Sequence, residues 1–209
     1  MPDDAKTWSL IHAERTSLAG TIEELTPNQW NTPSLCAGWT VGELAAHLLA
    51  SAEQTPGHFI GGMVTSGFRF GALINRDVKA RAGLTPKQIA DRLRLRTTTT
   101  NKPPAPTVAM LGEVVVHGED LRRPLGLAGP VDKEAANACL DMYTKANFPV
   151  GGKKRIAGLR LVSTDTAWSY GDGPEVTGPA MSLLLAMTGR PAGLTDLSGE
   201  GAPTLRVRI

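Results

Sequence analysis

Residues 112–126, GEVVVHGEDLRRPLG, set a carboxylate and an imidazole four positions apart, Glu113 and His117. These are side chains of the kind that hold catalytic zinc, which takes three protein ligands and leaves a further position open. Whether the pair can share an ion depends on local structure. In a strand, at ~3.3 Å per residue, the two residues stand ~13 Å apart and cannot. In a helix they lie on one face, roughly 5–6 Å apart at Cβ, and can. The third ligand must come from a different element, because metal sites in helical bundles draw on facing helices. Of the four histidines, His12 lies beside Ile11 in the first segment and His58 beside Gly57 in a glycine-loosened one. His47 is better placed, among Ala45, Ala46 and Ala50, whose small side chains let a second helix approach.

The spacing alone is a loose motif, since Glu-x-x-x-His pairs arise by chance in many helices. Each residue also has a plainer reading. His47 can be a satisfied core histidine. Glu119, Asp120, Arg122 and Arg123 can be a solvated face with a local ion pair of little energetic weight. Cys36 and Cys139 can be small apolar fillers, and Trp30 and Trp39 packing anchors for a loop.

The elements that must position these residues follow from periodicity. Val114, Val115 and Val116 favour a strand by propensity. Period-two alternation fails, however, and Pro106 and Gly126 bracket about 20 residues, a span usual for a helix and long for a strand. The spacing predicts a helix, with packing overriding propensity. Trp8, Ile11, Leu18, Ile22 and Leu25 predict an amphipathic first helix. Residues 26–39 read as an irregular connection. Thr40, with Glu43 three positions on, is a capping box that starts the helix carrying His47. Residues 57–71 read as a continued or broken helix plus a loop. Thr85-Pro86 opens another helix, and Asp132 caps one running to about Ala146. After Gly151-Gly152 the texture changes to short strands within RIAGLRLVSTD, AWSYGDG and PEVTG, a helix in GPAMSLLLAMTGRPAG, and a final strand in PTLRVRI. Residues 1–150 therefore read as helical and 151–209 as a small β-rich unit with one helix.

The 209 residues, 41% hydrophobic, suffice for one large domain or two small ones. A formal net charge of +2 gives no electrostatic reason to expect nucleic acid or an anionic membrane as partner. No apolar run reaches the ~18 residues of a membrane span. The acidic, polar start MPDDAKTWSL does not read as a signal peptide. Two cysteines far apart and outside any CxxC pair point to free thiols and a cytoplasmic location. Nothing distinguishes a monomer from a homodimer.

Residues 25–50, LTPNQWNTPSLCAGWTVGELAAHLLA, resemble the first signature of the mycothiol-dependent maleylpyruvate isomerase family, within the DinB-like metalloenzymes. The family's later helix, Glu-x-x-x-His-Gly-x-Asp-Leu, is matched by Glu113, His117, Gly118, Asp120 and Leu121. LVSTDTAWSYGDGPEVTGPAMSLLLAMTGR is similar to the small C-terminal domain that accompanies it. The resemblance implies an α+β fold, a DinB-like four-helix bundle followed by a small α/β C-terminal domain. It implies His47, Glu113 and His117 as ligands of Zn²⁺ or another divalent metal, with mycothiol as cosubstrate. The implied activity is thiol transfer to, or thiol-assisted cis–trans isomerisation of, a small electrophile. A C-terminal arginine would assist; Arg206 and Arg208 are candidates by position in the tail. Residue 119 is Glu where many relatives carry a bulky or aromatic residue, a departure that bears on the substrate and not on the metal. The competing expectations are a DinB-like metal-dependent hydrolase and a non-catalytic metal-binding interaction module.

Overall fold

The computed structural model describes residues 3–127, 129, 132–147 and 150–209. It is α+β: mostly helical, with a single small sheet among the described residues. The chain forms two compact units, one comprising Asp3–Pro130 and the other Val131–Ile209.

The first unit holds seven helices among its described residues: α1 (Asp4–Glu23), α2 (Pro27–Trp30), α3 (Val41–Ala52), α4 (Pro56–Thr65), α5 (Phe70–Lys79), α6 (Pro86–Arg94) and α7 (Thr107–Arg122). A 3-10 turn, Arg123–Leu125, follows the last of them. The starts are chemically marked. Asp3 accepts the Lys6 N–H at 2.7 Å ahead of α1. Capping boxes open α3 (Thr40 with Glu43) and α6 (Thr85 with Gln88). The predicted helix at 107–122 forms, and its three consecutive valines are all buried. That is possible because α7 is covered on more than one side, packing on both α1 and α3. α1 also packs on α6, and α3 on α5 and α6. The stretch 26–39 is less irregular than expected, since it contains α2.

One reading of this unit is overturned. Glu119, Asp120 and Arg122 are not a solvated face: they are 7%, 0% and 2% exposed. Arg122 Nη1 donates to Glu14 Oε1 at 2.6 Å and Nη2 to Ser17 Oγ at 3.1 Å, tying α7 to α1. A buried guanidinium of this kind persists because its charge is paired and hydrogen-bonded. Only Arg123 reaches the surface in part, held to Glu119 at 3.3 Å.

The second unit contains α8 (Lys133–Tyr143), α9 (Gly152–Arg155), β1 (Arg160–Ser163), β2 (Ser169–Tyr170), β3 (Glu175–Gly178), α10 (Ala180–Met187), a 3-10 segment (Pro191–Asp196) and α11 (Ala202–Val207). The sheet order is β2-β1-β3, with β2 antiparallel and β3 parallel to β1. Every residue of α10 is buried. Sequence texture drew the boundary at 150; contacts group α8 with the later elements, because it packs on α10 and its Asp141 accepts the Trp168 indole N–H at 2.9 Å. The tail is a correction: PTLRVRI ends in a helix, not a strand. Proline sits in the first turn of α11, and Leu205 and Ala202 face inward while Val207 is 88% exposed. A strand would have turned Leu205 and Val207 to the same face.

Candidate metal centre

α7 brings Glu113 and His117 to one face, and α3 delivers His47 opposite them. His47 Nε2 donates to Glu113 Oε1 at 2.5 Å, and His117 Nε2 lies 3.7 Å from Glu113 Oε2. The two imidazoles thus approach different oxygens of one carboxylate. Their ring centroids are 5.0 Å apart with planes at 88°. One ligand atom from each of the three residues falls within 4.8 Å of the others. Zinc bonds of about 2.0–2.1 Å place tetrahedral donors roughly 3.3 Å apart, so small shifts suffice to close this set on a cation. His47 is 8% exposed, and a buried imidazole facing a carboxylate and a second imidazole is an environment suited to a shared ion.

Two side chains that sequence reading assigned elsewhere complete the surroundings. Asp120, fully buried one turn beyond His117, accepts from His117 Nδ1 at 2.9 Å. A carboxylate behind a ligating histidine fixes which ring nitrogen carries the proton and leaves the other free for a metal. The signal for it was present in the spacing 113, 117, 120, which is a single helical face. Cys36 is no inert filler: Sγ–H donates to Asp120 Oδ2 at 3.2 Å, and Sγ lies 3.3 Å from His117 Nδ1. It comes from a loop 81 positions away in sequence, and no local pattern announces it. Cys36, His117 and Asp120 form a second group compact enough for an ion, through the Nδ1 side of the same ring.

That loop is tightly folded. Trp39 N–H bonds back to the Cys36 carbonyl at 3.1 Å across a turn in which Gly38 takes φ 82°, a value glycine reaches without strain. Ser34 Oγ donates to the Trp39 carbonyl at 2.8 Å, and Leu35 N–H to the backbone carbonyl of Asp120 at 3.0 Å. The turn therefore holds Cys36 on α7 and sets the Trp39 ring 5.0 Å from that of His47 on α3.

The proton on His117 is strongly held, its pKa pushed up to about 10. Burial opposes the charge. The Glu113 carboxylate, the Asp120 hydrogen bond and Cys36 outweigh it.

The candidate arginines lie in the other unit. Arg208 Nη1 donates to the carbonyls of Arg155 and Ala157 at 2.9 and 2.7 Å, a role in holding the tail. Arg206 is exposed and lines a cavity of about 310 Å³ with Pro191, Leu194, Thr195 and Ile209.

Residues 11–102 match the family described as mycothiol maleylpyruvate isomerase N-terminal domain. Over these residues, less than half of the chain, the protein is similar to that family. The match includes His47 and the Cys36–Trp39 turn and ends before α7. Two solved structures share the fold: the mycothiol-dependent maleylpyruvate isomerase and a histidine-to-alanine variant of it. Each is 14% identical, with a TM-score of 0.63, covering 96% of this chain and 94% of the other. No curated protein matches. No helix among the described residues is long and apolar enough to cross a membrane.

Proposed function

We propose that the protein is a divalent-metal enzyme of the mycothiol-using kind, with His47, Glu113 and His117 as ligands and a small electrophile as substrate. The observation that carries this is the approach of both Nε2 atoms to the two oxygens of Glu113. In this reading α1, α3, α6 and α7 correspond to a DinB-type four-helix bundle. The segment beyond it is an accessory α/β domain.

Held by two neutral imidazoles and one carboxylate, a Zn²⁺ would carry about +1 and would supply the positive charge that favours a thiolate, whereas free thiols of pKa ~8.5 are mostly protonated at pH 7. The chain's own residues do the rest. Asp120 retains the proton on His117 Nδ1 and keeps the ring plane fixed. Trp39 packs against His47, limiting its ring motion. Glu113, spanning both imidazoles, sets their separation. The mycothiol thiolate would attack an electrophilic carbon. Addition to a cis double bond, rotation and elimination returns the trans isomer and the thiol. Addition without elimination, or displacement of a leaving group, leaves a conjugate. Of these outcomes the family name favours isomerisation, and of the two tail arginines Arg206 is the candidate to pair with an anionic substrate, because Arg208 is spent on backbone carbonyls.

The test is elemental analysis of the purified protein beside His47→Ala and Glu113→Ala, with mycothiol turnover followed by mass spectrometry. Near-stoichiometric zinc in the wild type, loss in both variants, and an isomer or conjugate formed only with thiol are expected. Full metal retention in both variants contradicts the ligand assignment. Hydrolysis without thiol favours the water-using alternative, in which the open position serves a hydrolase.

A further inference from the structure

We propose that Cys36 is a positioning residue of the metal centre: its thiol, donated to Asp120, holds that carboxylate in the orientation that aims His117 Nε2 at the cation. The proposal rests on the metal reading above and deepens it. Three contacts close a triangle, Cys36 Sγ to Asp120 Oδ2 (3.2 Å), His117 Nδ1 to the same oxygen (2.9 Å) and Sγ to Nδ1 (3.3 Å). Asp120 is wholly buried, so each donor to its carboxylate matters to its orientation, and water cannot replace one that is lost. The thiol arrives on a backbone built to present it. Gly38 makes the turn, Ser34 Oγ accepts the Cys36 N–H at 3.2 Å, and Leu35 N–H fastens the loop to the Asp120 carbonyl itself. Asp120 is therefore gripped twice by the same loop, at its carbonyl and at its side chain, and His117 depends on that side chain.

The alternative use of the thiol is direct ligation. Cys36 and Asp120 approach His117 from Nδ1, whereas His47 and Glu113 approach from Nε2. A neutral imidazole offers one lone pair, so one ion takes one side of the ring. Two helices supply the Nε2 side, with His47 facing Glu113 at 2.5 Å, which leaves Cys36 in the supporting role.

Three measurements on the full chain test this. Zinc affinity by chelator competition is expected to fall about tenfold in Cys36→Ala, the lower end for removal of a supporting partner, and to be largely restored in Cys36→Ser, which keeps a donor. The S–H stretching band assigned to Cys36 by its loss in Cys36→Ala is expected at the low frequency of a thiol bonded to a carboxylate, and to rise in Asp120→Asn. The Co²⁺-substituted wild type is expected to show no sulfur-to-metal charge-transfer band. Unchanged zinc affinity in Cys36→Ala overturns the proposal, as does a Ser variant as weak as the Ala variant. A charge-transfer band lost in Cys36→Ala makes Cys36 a ligand instead, and equally overturns it. A wild type that takes up no metal sinks the parent reading, a result separate from each of these.

Discussion

At the scale of single residues, His117 governs how the centre responds to pH. It holds its proton up to about pH 10, against an ordinary value near 6.5, because the charge of Glu113 and the hydrogen bonds with Asp120 and Cys36 outweigh burial. A cation must displace that proton. Zinc affinity should therefore climb by about tenfold per pH unit between roughly pH 6.5 and 9, as expected for release of one proton; chelator competition across that range checks it, and a flat profile would show that His117 binds no metal. In the metal-free protein the sign is opposite. A folded-state pKa above the unfolded one adds stability that is complete below about pH 6.5 and is lost as pH rises through 10. Melting of chelator-treated protein should fall over that interval, and Glu113→Gln should flatten the fall. The residues of this centre were unequally legible. Glu113 and His117 share a short motif, and His47 stands out by its alanine neighbours. Asp120 shares the helical face of Glu113 and His117, but its burial was not legible, because nothing local distinguishes a buried carboxylate from a solvated one. Cys36 depends on a tertiary contact, which no one-dimensional pattern contains.

At the scale of elements, the centre is only as fixed as α3 and α7. Thr40 accepts the Glu43 N–H at 3.2 Å, and Glu43 Oε2 accepts the Thr40 N–H at 2.8 Å. Thr40→Ala should lower stability by about 1 kcal/mol in denaturant titration while leaving metal content intact, since His47 lies two turns further on. The α1–α7 contact is more demanding. Arg122→Ala strands the carboxylate of Glu14, which burial already pushes above its usual value in spite of Arg122, and should cost roughly 3–5 kcal/mol. Arg122→Met combined with Glu14→Leu replaces the pair by apolar volume and should recover most of the loss. A double variant as unstable as the single one would mean that the pair does more than neutralise itself. Helix starts were legible because caps are local chemistry: Thr40, Thr85 and Asp132 all cap as their sequences imply. The helical state of α7 was legible only by length and failed alternation, against the propensity of its valines. The tail misled because its alternation mimics a strand, while proline in the first turn and inward-facing Leu205 select a helix.

At the scale of the whole molecule, the division of labour between the two units can be separated by experiment. All three proposed ligands, together with Asp120, Cys36 and Trp39, lie within Asp3–Pro130. The same unit contains a core of wholly buried side chains, among them Ile11, Leu18, Ile22, Leu44, Leu49, Leu111 and Leu121. Its helices α1, α2, α3, α4 and α6 are capped by side chains of the same unit, and α7 is anchored by Glu14 and Ser17 of α1. These contacts are internal to the unit, so a chain ending at residue 130 should fold, show helical circular dichroism and bind zinc near one per chain. The electrophile has a different requirement. In the proposed reading an anionic substrate pairs with Arg206, which is exposed on α11 beside a cavity and lies in the segment that the truncation removes. The truncated chain should therefore keep its metal and lose mycothiol-dependent turnover, and Arg206→Ala in the full chain should lose turnover at least tenfold while Arg208→Ala mainly lowers the melting temperature. Turnover surviving truncation would assign the whole reaction to the helical unit and remove both arginines from it. Loss of metal on truncation would instead make the second unit part of what holds the ligands in place.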